Sequence, residues 1–195
     1  MRKVSILVFM VAGLFLVGCP AKGKLNWTAE ELKRGFSDEE CYKFCSDYYK
    51  ANSKAQATTL KGYNGRDILA DYYPENIGDF NCAPHFDDTF YIFGNDLEFV
   101  SIKEERNTEV EYKKRKEKVT VYSVGYNIDY LGRYIDNKVQ YNETPYNGKG
   151  FFEVIRLCGK FKILGDLLVS AYNIRQEDVP ILEQSLAKKK SNHSQ

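Results

Sequence analysis

Apolar and polar positions along the chain change their rhythm three times. Val4 to Gly18 is a stretch of 15 apolar or small residues behind Arg2 and Lys3, shorter than the ~20 that a membrane-spanning helix needs. From Thr28 to Tyr73 the spacing is helical. Thr28-Ala29-Glu30-Glu31 and Ser37-Asp38-Glu39-Glu40 both fit a capping box, and Gly35 divides a short first helix from a second. In that second helix Cys41, Phe44, Cys45 and Tyr48 recur at i, i+3, i+4, i+7 and make one apolar stripe. Lys43, Ser46, Asp47 and Lys50 turn to water. A further helix over Gly65 to Tyr73 points Ile68, Leu69, Tyr72 and Tyr73 inward and stops at Pro74.

Past Thr89 the pattern is that of strands. Thr89 to Phe93 and Leu97 to Lys103 read as a hairpin around Gly94-Asn95-Asp96, and Glu109 to Lys113 with Lys118 to Tyr126 as another strand pair. The run Lys113 to Lys118, basic at five of six positions, reads as a solvated hairpin tip. Gly150 to Leu157 and Lys160 to Leu164 flank a Cys158-Gly159 turn. Parity puts Phe152, Val154, Arg156 and Cys158 on one face and Phe151, Glu153, Ile155 and Leu157 on the other. Phe161 and Ile163 then pack toward Phe44 and Tyr48. Leu167 to Tyr172 extends the sheet, and Asp178 to Lys190 is a last helix that accepts Pro180 in its first turn. Phe80 to Asp88 and the long segment Asn127 to Gly148 read as polar connections. Helices first and antiparallel strands afterwards predict an α+β fold with the helices on one sheet face. The expected divisions are 1–18, a tether over 19–27, one domain over 28–190 and a polar tail over 191–195.

Charge is balanced, 28 Lys+Arg against 27 Asp+Glu, which argues against a nucleic-acid partner. Fifteen Tyr and 12 Phe supply core and surface aromatics. Charged start, apolar run and small residues before Cys19 are the parts of an export signal. Leu16-Val17-Gly18-Cys19 resembles the lipobox of bacterial lipoproteins. The resemblance implies thioether lipidation of Cys19, cleavage after Gly18, and a chain held in the bacterial cell envelope by its lipid. Several acyl chains anchor stably where one does not, at ~0.8 kcal/mol per buried methylene.

Four cysteines then remain: Cys41, Cys45, Cys82 and Cys158. In an exported protein an even number favours two disulfides. Cys41 and Cys45 lie one helical turn apart, with Cβ atoms ~5–6 Å from each other, against the ~3.8 Å that a disulfide needs. The expected bridges therefore run from these two to Cys82 and Cys158, in either arrangement. Zinc could use Cys41, Cys45, Cys82 and His85, but such a site would have to resist oxidation, and no metal is assigned; buried free thiols are the remaining alternative.

Signatures of catalysis are sparse. No Gly-x-Ser-x-Gly, phosphate loop or His-Glu-x-x-His occurs, and the histidines are His85 and His193, the latter in the polar tail. No catalytic or cofactor-binding residue is assigned, and no cofactor is expected. The stretch from Phe151 to Leu164 resembles the closing hairpin of NTF2-like proteins: an apolar strand, a glycine-lysine turn, an aromatic and a lysine-isoleucine step. That resemblance implies a curved, cone-shaped sheet. It is compatible with a non-catalytic domain binding a small apolar ligand or a protein. Alternatives are a carboxylate enzyme of ketosteroid-isomerase type, with Tyr126, Asp129 and Tyr130 near the cavity rim, or a surface lipoprotein contacting host proteins.

Overall fold

The computed structural model describes residues 27–59, 66–74, 90–136, 138–167 and 173–184. The signal segment, Cys19 and most of the tether, Cys82, His85, the loop over 80–88, the expected strand residues 168–172 and the tail lie outside them. The chain divides into two compact units at Ser37/Asp38. In the first, α1 (Ala29–Arg34) carries the predicted box: Glu31 N–H donates to Thr28 Oγ1 (3.2 Å) and Thr28 N–H to Glu31 Oε2 (2.7 Å). Gly35, left-handed at φ 79°, closes it.

The second unit is a helix laid on a mixed sheet. Helix α2 (Asp38–Thr59) is followed by α3 (Arg66–Leu69), which runs into a 3-10 turn, Ala70–Tyr72. Strands β1 (Phe90–Phe93), β2 (Glu98–Tyr112), β3 (Arg115–Ile135), β4 (Lys138–Leu157), β5 (Lys160–Leu167) and β6 (Asn173–Arg175) form one six-stranded sheet. A 3-10 turn, Gln176–Asp178, leads into helical residues 179–184. The α+β expectation therefore holds at the level of a mixed fold with one open sheet.

The pairing differs from the expected one at two places. β1 and β2 do not form a hairpin; both lie along the same edge of β3, β1 against Tyr130–Tyr134 and β2 against Arg115–Asn127. Gly94 to Leu97 is a jog between them, held because Gly94 N–H donates to the Asp129 carbonyl (2.8 Å) and Tyr49 Oη to the Gly94 carbonyl (2.6 Å). The segment Asn127 to Gly148 is no connection but a long β3–β4 ribbon turning at Asp136, with φ 50°. β6 pairs with β1 in parallel.

Two tight turns match the expectation. Lys113 and Lys114 (φ 50° and 62°) join β2 to β3, and Cys158 and Gly159 (φ 48° and 81°) join β4 to β5. Two successive positive φ values make the twist of such turns follow that of the strands.

The predicted parity is visible in burial on both sides of the sheet. Phe152 and Val154 are buried with Ile163, while Ile155 and Leu157 are buried with Val119 and Val121. A separate cluster joins Phe90, Ile92 and Tyr134 to Ala57 of α2, Ile174, Val179 and Leu182. Phe161 touches Phe44 (ring centroids 5.4 Å) but is only half-buried, so the core residue of the closing hairpin is Phe152, fully enclosed between Tyr48 and Tyr126.

The ribbon kinks at Gly132. Leu131 is an extra residue of β3 against β1, and β4 inserts Asn142 to Pro145 opposite the same point. The bulge frees the Tyr130 carbonyl, which accepts from Asn142 Nδ2 (3.2 Å). A Cβ at Gly132 would sit 2.2 Å from the Gln140 carbonyl oxygen and 2.8 Å from Tyr141 Cα, so only glycine fits.

Two stability predictions follow from this packing. Phe152→Ala should cost about 3–5 kcal/mol, Phe161→Ala roughly half of that, and Lys160→Ala almost nothing; urea titrations ranking Phe161 above Phe152 would refute the core assignment. Gly132→Ala should cost about 3 kcal/mol or more through backbone overlap. Gly159→Ala, where a Cβ meets nothing within 4 Å, pays only for its positive φ, about 1–2 kcal/mol. Equal losses at the two glycines would contradict the kink geometry.

Candidate functional site

Helix α2 buries polar side chains as well as its apolar stripe. Tyr48, Tyr49, Asn52, Ser53 and Gln56 are all almost inaccessible, which continues the Cys41-Cys45 face toward the helix C-terminus. Each buried polar atom needs a partner, because an unsatisfied one costs ~1–3 kcal/mol.

Two centres supply partners to Tyr48 and Ser53, while Gln56 Nε2 has none among the described residues. Near the middle of α2, Tyr48 Oη donates to Asp166 Oδ2 of β5 and lies 2.5 Å from Tyr73 Oη. A phenol has one proton, so with Tyr48 committed to Asp166, Tyr73 donates to Tyr48. The result is a chain of two tyrosines ending on a carboxylate, packed among Phe152 and Tyr72. Burial pushes the Asp166 carboxyl from 3.8 up to about 6, against the opposing hydrogen bond from Tyr48. Burial also raises Tyr48, with the Asp166 charge adding to it.

One turn and a half further on, Ser53 Oγ donates to Asp178 Oδ2 (2.5 Å) and accepts the Arg175 backbone N–H (3.0 Å). Arg175, itself buried, reaches Asp178 through Nε (3.1 Å) and Nη2 (3.0 Å), and Glu177 through Nη2 (2.5 Å). This centre is fully partnered and fastens β6 and the C-terminal turn to α2.

The β1–β3–β4 region carries a further surface on the same side of the sheet as Phe152 and Arg175. Tyr91 stands across from Arg133, and Arg133 across from Gln140; in the next row Phe93, Tyr130 and Tyr146 stand side by side. Directly opposed residues share a face, so both rows lie on one side, turned away from Phe90, Ile92 and Tyr134. Tyr130 packs between Tyr91 and Phe93, with ring centroids 6.0 and 5.6 Å away. Tyr91 is 47% and Tyr146 69% exposed, and Arg133 and Gln140 are exposed too. The result is a solvated patch of tyrosines edged by an arginine and an amide.

The residues singled out in the sequence are distributed as follows. Cys41 and Cys45 are buried, Cys158 is exposed in its turn, and all three are free thiols; Cys19 and Cys82 lie outside the described residues. Burial, then Cys41 beside it, raises the Cys45 thiol well above its ordinary range, which keeps it protonated and a poor nucleophile. Tyr126, Asp129 and Tyr130 do not converge: Tyr126 is buried against Phe152 while Asp129 is exposed. Asp166 and Ser53 were missed. A lone aspartate in an apolar strand, and small polar residues continuing a helical stripe, were the available signals. Among the described residues no helix is long and apolar enough to cross a membrane. No family model, curated protein or solved structure matches the chain.

The Asp166 centre has a pH signature. Its folded pKa of about 6 lies above the unfolded 3.8. The contribution to stability is therefore fully present below pH ~4 and is lost as pH rises through 6. Two units correspond to about 3 kcal/mol. Asp166→Asn, which keeps an acceptor for Tyr48, should gain stability relative to the parent by about that amount between pH 4 and pH 7. A difference in unfolding free energy that is the same at both pH values would remove the buried-carboxylate assignment.

Proposed function

We propose that this chain is a cell-envelope lipoprotein, anchored through acylated Cys19, whose sheet domain is a non-catalytic module binding a protein partner. The observation carrying the binding half is the exposed face of Tyr91, Tyr130, Tyr146, Arg133 and Gln140. Tyrosine and arginine are the residues that concentrate binding energy at interfaces, because large amphipathic side chains lose little rotamer freedom on contact. Set on paired strands, they are held ready for a partner instead of being ordered by it. The anchoring half is supported by the sequence Leu16-Val17-Gly18-Cys19. Likeness to NTF2-like proteins belongs to the same proposal, as does oxidation in the envelope of the Cys41, Cys45 and Cys158 thiols, free in this structure, to disulfides that pair Cys41 and Cys45 with Cys82 and Cys158; a non-reducing peptide map reads the latter.

A second reading, a small-molecule enzyme using a buried carboxylate, is favoured by one observation: Asp166 with Tyr48 and Tyr73 in a shielded site. The two readings separate experimentally. A photo-cross-linking amino acid at Tyr146 should yield a defined adduct in intact cells, and the same group at Lys103 of β2 should not. Tyr91→Ala with Tyr146→Ala should abolish the adduct formed from position 130 without lowering Tm, and Asp166→Asn should leave it intact. Cys19→Ala should abolish membrane retention. No adduct specific to the tyrosine face defeats the binding proposal, and normal membrane retention of Cys19→Ala defeats the anchoring one.

A further inference from the structure

The tip of the β2–β3 hairpin is left unexplained by the core and by the tyrosine face. β4 ends at Leu157, which continues in register to Val119, so Glu109–Tyr112 and Arg115–Lys118 project as a two-stranded ribbon with no third strand among the described residues. Four residues at ~3.4 Å each carry it about 13 Å outward. At its end stand Lys113, Lys114, Arg115 and Lys116, followed by Lys118, all exposed. Glu111 and Glu109 lie directly opposite Lys116 and Lys118, but Arg115 faces Tyr112 and the two turn lysines face no acid. The charge is thus balanced along the ribbon and left positive at its extremity.

The turn itself adds a second, independent observation. Lys113 and Lys114 both have left-handed φ values, at positions where Asn-Gly is the favoured pair. Lysine is a poor choice there for the backbone. Lysine at both positions sets positive charge above turn stability, the kind of local conflict that marks a functional site. Lys113 Nζ also lies 5.2 Å over the half-buried Tyr112 ring, placing an amphipathic aromatic just behind the cations.

We propose that this tip is a contact for anionic phospholipid headgroups, a second attachment of the domain to the membrane. A nucleic acid is disfavoured, because the chain is near neutral and the positive charge occupies one narrow end rather than a groove or stripe. A few cations at the end of a ribbon suit a flat, negatively charged surface, where each adds to the attraction within a Debye length. The inference rests on the anchoring through Cys19 proposed above: lipid tethering makes the headgroup contact intramolecular, so a weak site becomes occupied. A lipid chain with a basic patch is a known sufficient pair of signals for stable membrane attachment.

The test uses the chain purified from its membrane and reconstituted into phosphatidylcholine vesicles with or without phosphatidylglycerol. Lysine labelling is read residue by residue by mass spectrometry. Lys113, Lys114 and Lys116 should lose labelling only in the anionic vesicles and regain it in high salt, while exposed Lys50 and Lys103 stay unchanged. Lys113→Asn with Lys114→Gly should abolish the protection of Lys116 while leaving Tm unchanged or raised, which separates lost contact from lost folding. Equal labelling in both vesicle types overturns the proposal. Protection by a single-stranded oligonucleotide but not by phosphatidylglycerol also overturns it. The intact mass of the same sample reports the lipid on Cys19 separately. If that mass shows no lipid the anchoring reading fails, and the labelling, repeated with excess added vesicles, still decides the tip by the same outcomes.

Discussion

Helix α2 fastens the sheet through side chains that each meet a different strand. Tyr42 stacks on Phe99 of β2, Phe44 meets Phe161 of β5, and Tyr48 packs on Phe152 of β4. Tyr49 bonds the jog between β1 and β2, and Ser53 bonds the Arg175–Asp178 corner. Apolar contact alone would tolerate sliding along the helix axis. The hydroxyls of Tyr48, Tyr49 and Ser53 do not, because a slip of one turn, about 5.4 Å, would leave three buried polar groups unsatisfied at once. The polar atoms under α2 therefore set its register, and the apolar ones supply the bulk of its attraction.

That dependence on distant partners explains which features were legible in the sequence. The Thr28 capping box, the Lys113-Lys114 tip and the Cys158-Gly159 turn are decided within a few residues, and local pattern is enough to read them. Gly94-Asn95-Asp96 looks locally like a hairpin turn. Its backbone groups instead bond Tyr49 and Asp129, so β1 and β2 share an edge where a hairpin was expected. Asn127 to Gly148 reads as a connection because the ribbon is exposed over much of its length and carries little apolar alternation to announce strands. Tyr48 is legible only as part of an apolar stripe. Its partner Asp166 lies 118 residues away, and no spacing rule links the two.

The kink at Gly132 connects this architecture to the tyrosine face. In an uninterrupted strand Tyr130 and Arg133, three residues apart, would point to opposite sides. The extra residue Leu131 restores them to the same side, opposite Phe93 with Tyr146 and Tyr91 with Gln140 respectively. Arginine and tyrosines come together on one surface because of the irregularity. A bulge that merely relieved strain would not need a glycine enclosed on its Cβ side by backbone, or an asparagine placed to satisfy the freed carbonyl.

Two zones of this region then divide the polar groups between them. Under α2 hydroxyls, carboxylates and the Arg175 guanidinium are turned inward onto one another, which makes that zone rigid. Along the exposed rows, on the same side of the sheet, Arg133 Nε reaches Gln140 only at 3.4 Å, and the rings of Tyr91 and Tyr146 are 47% and 69% exposed. A partner covering those rows would gain the apolar area of rings already held in place by strand pairing and by each other. The helix, by fixing the strands, lowers the cost of ordering the tyrosines, so the buried polar network and the exposed aromatic patch act as two parts of one binding scaffold.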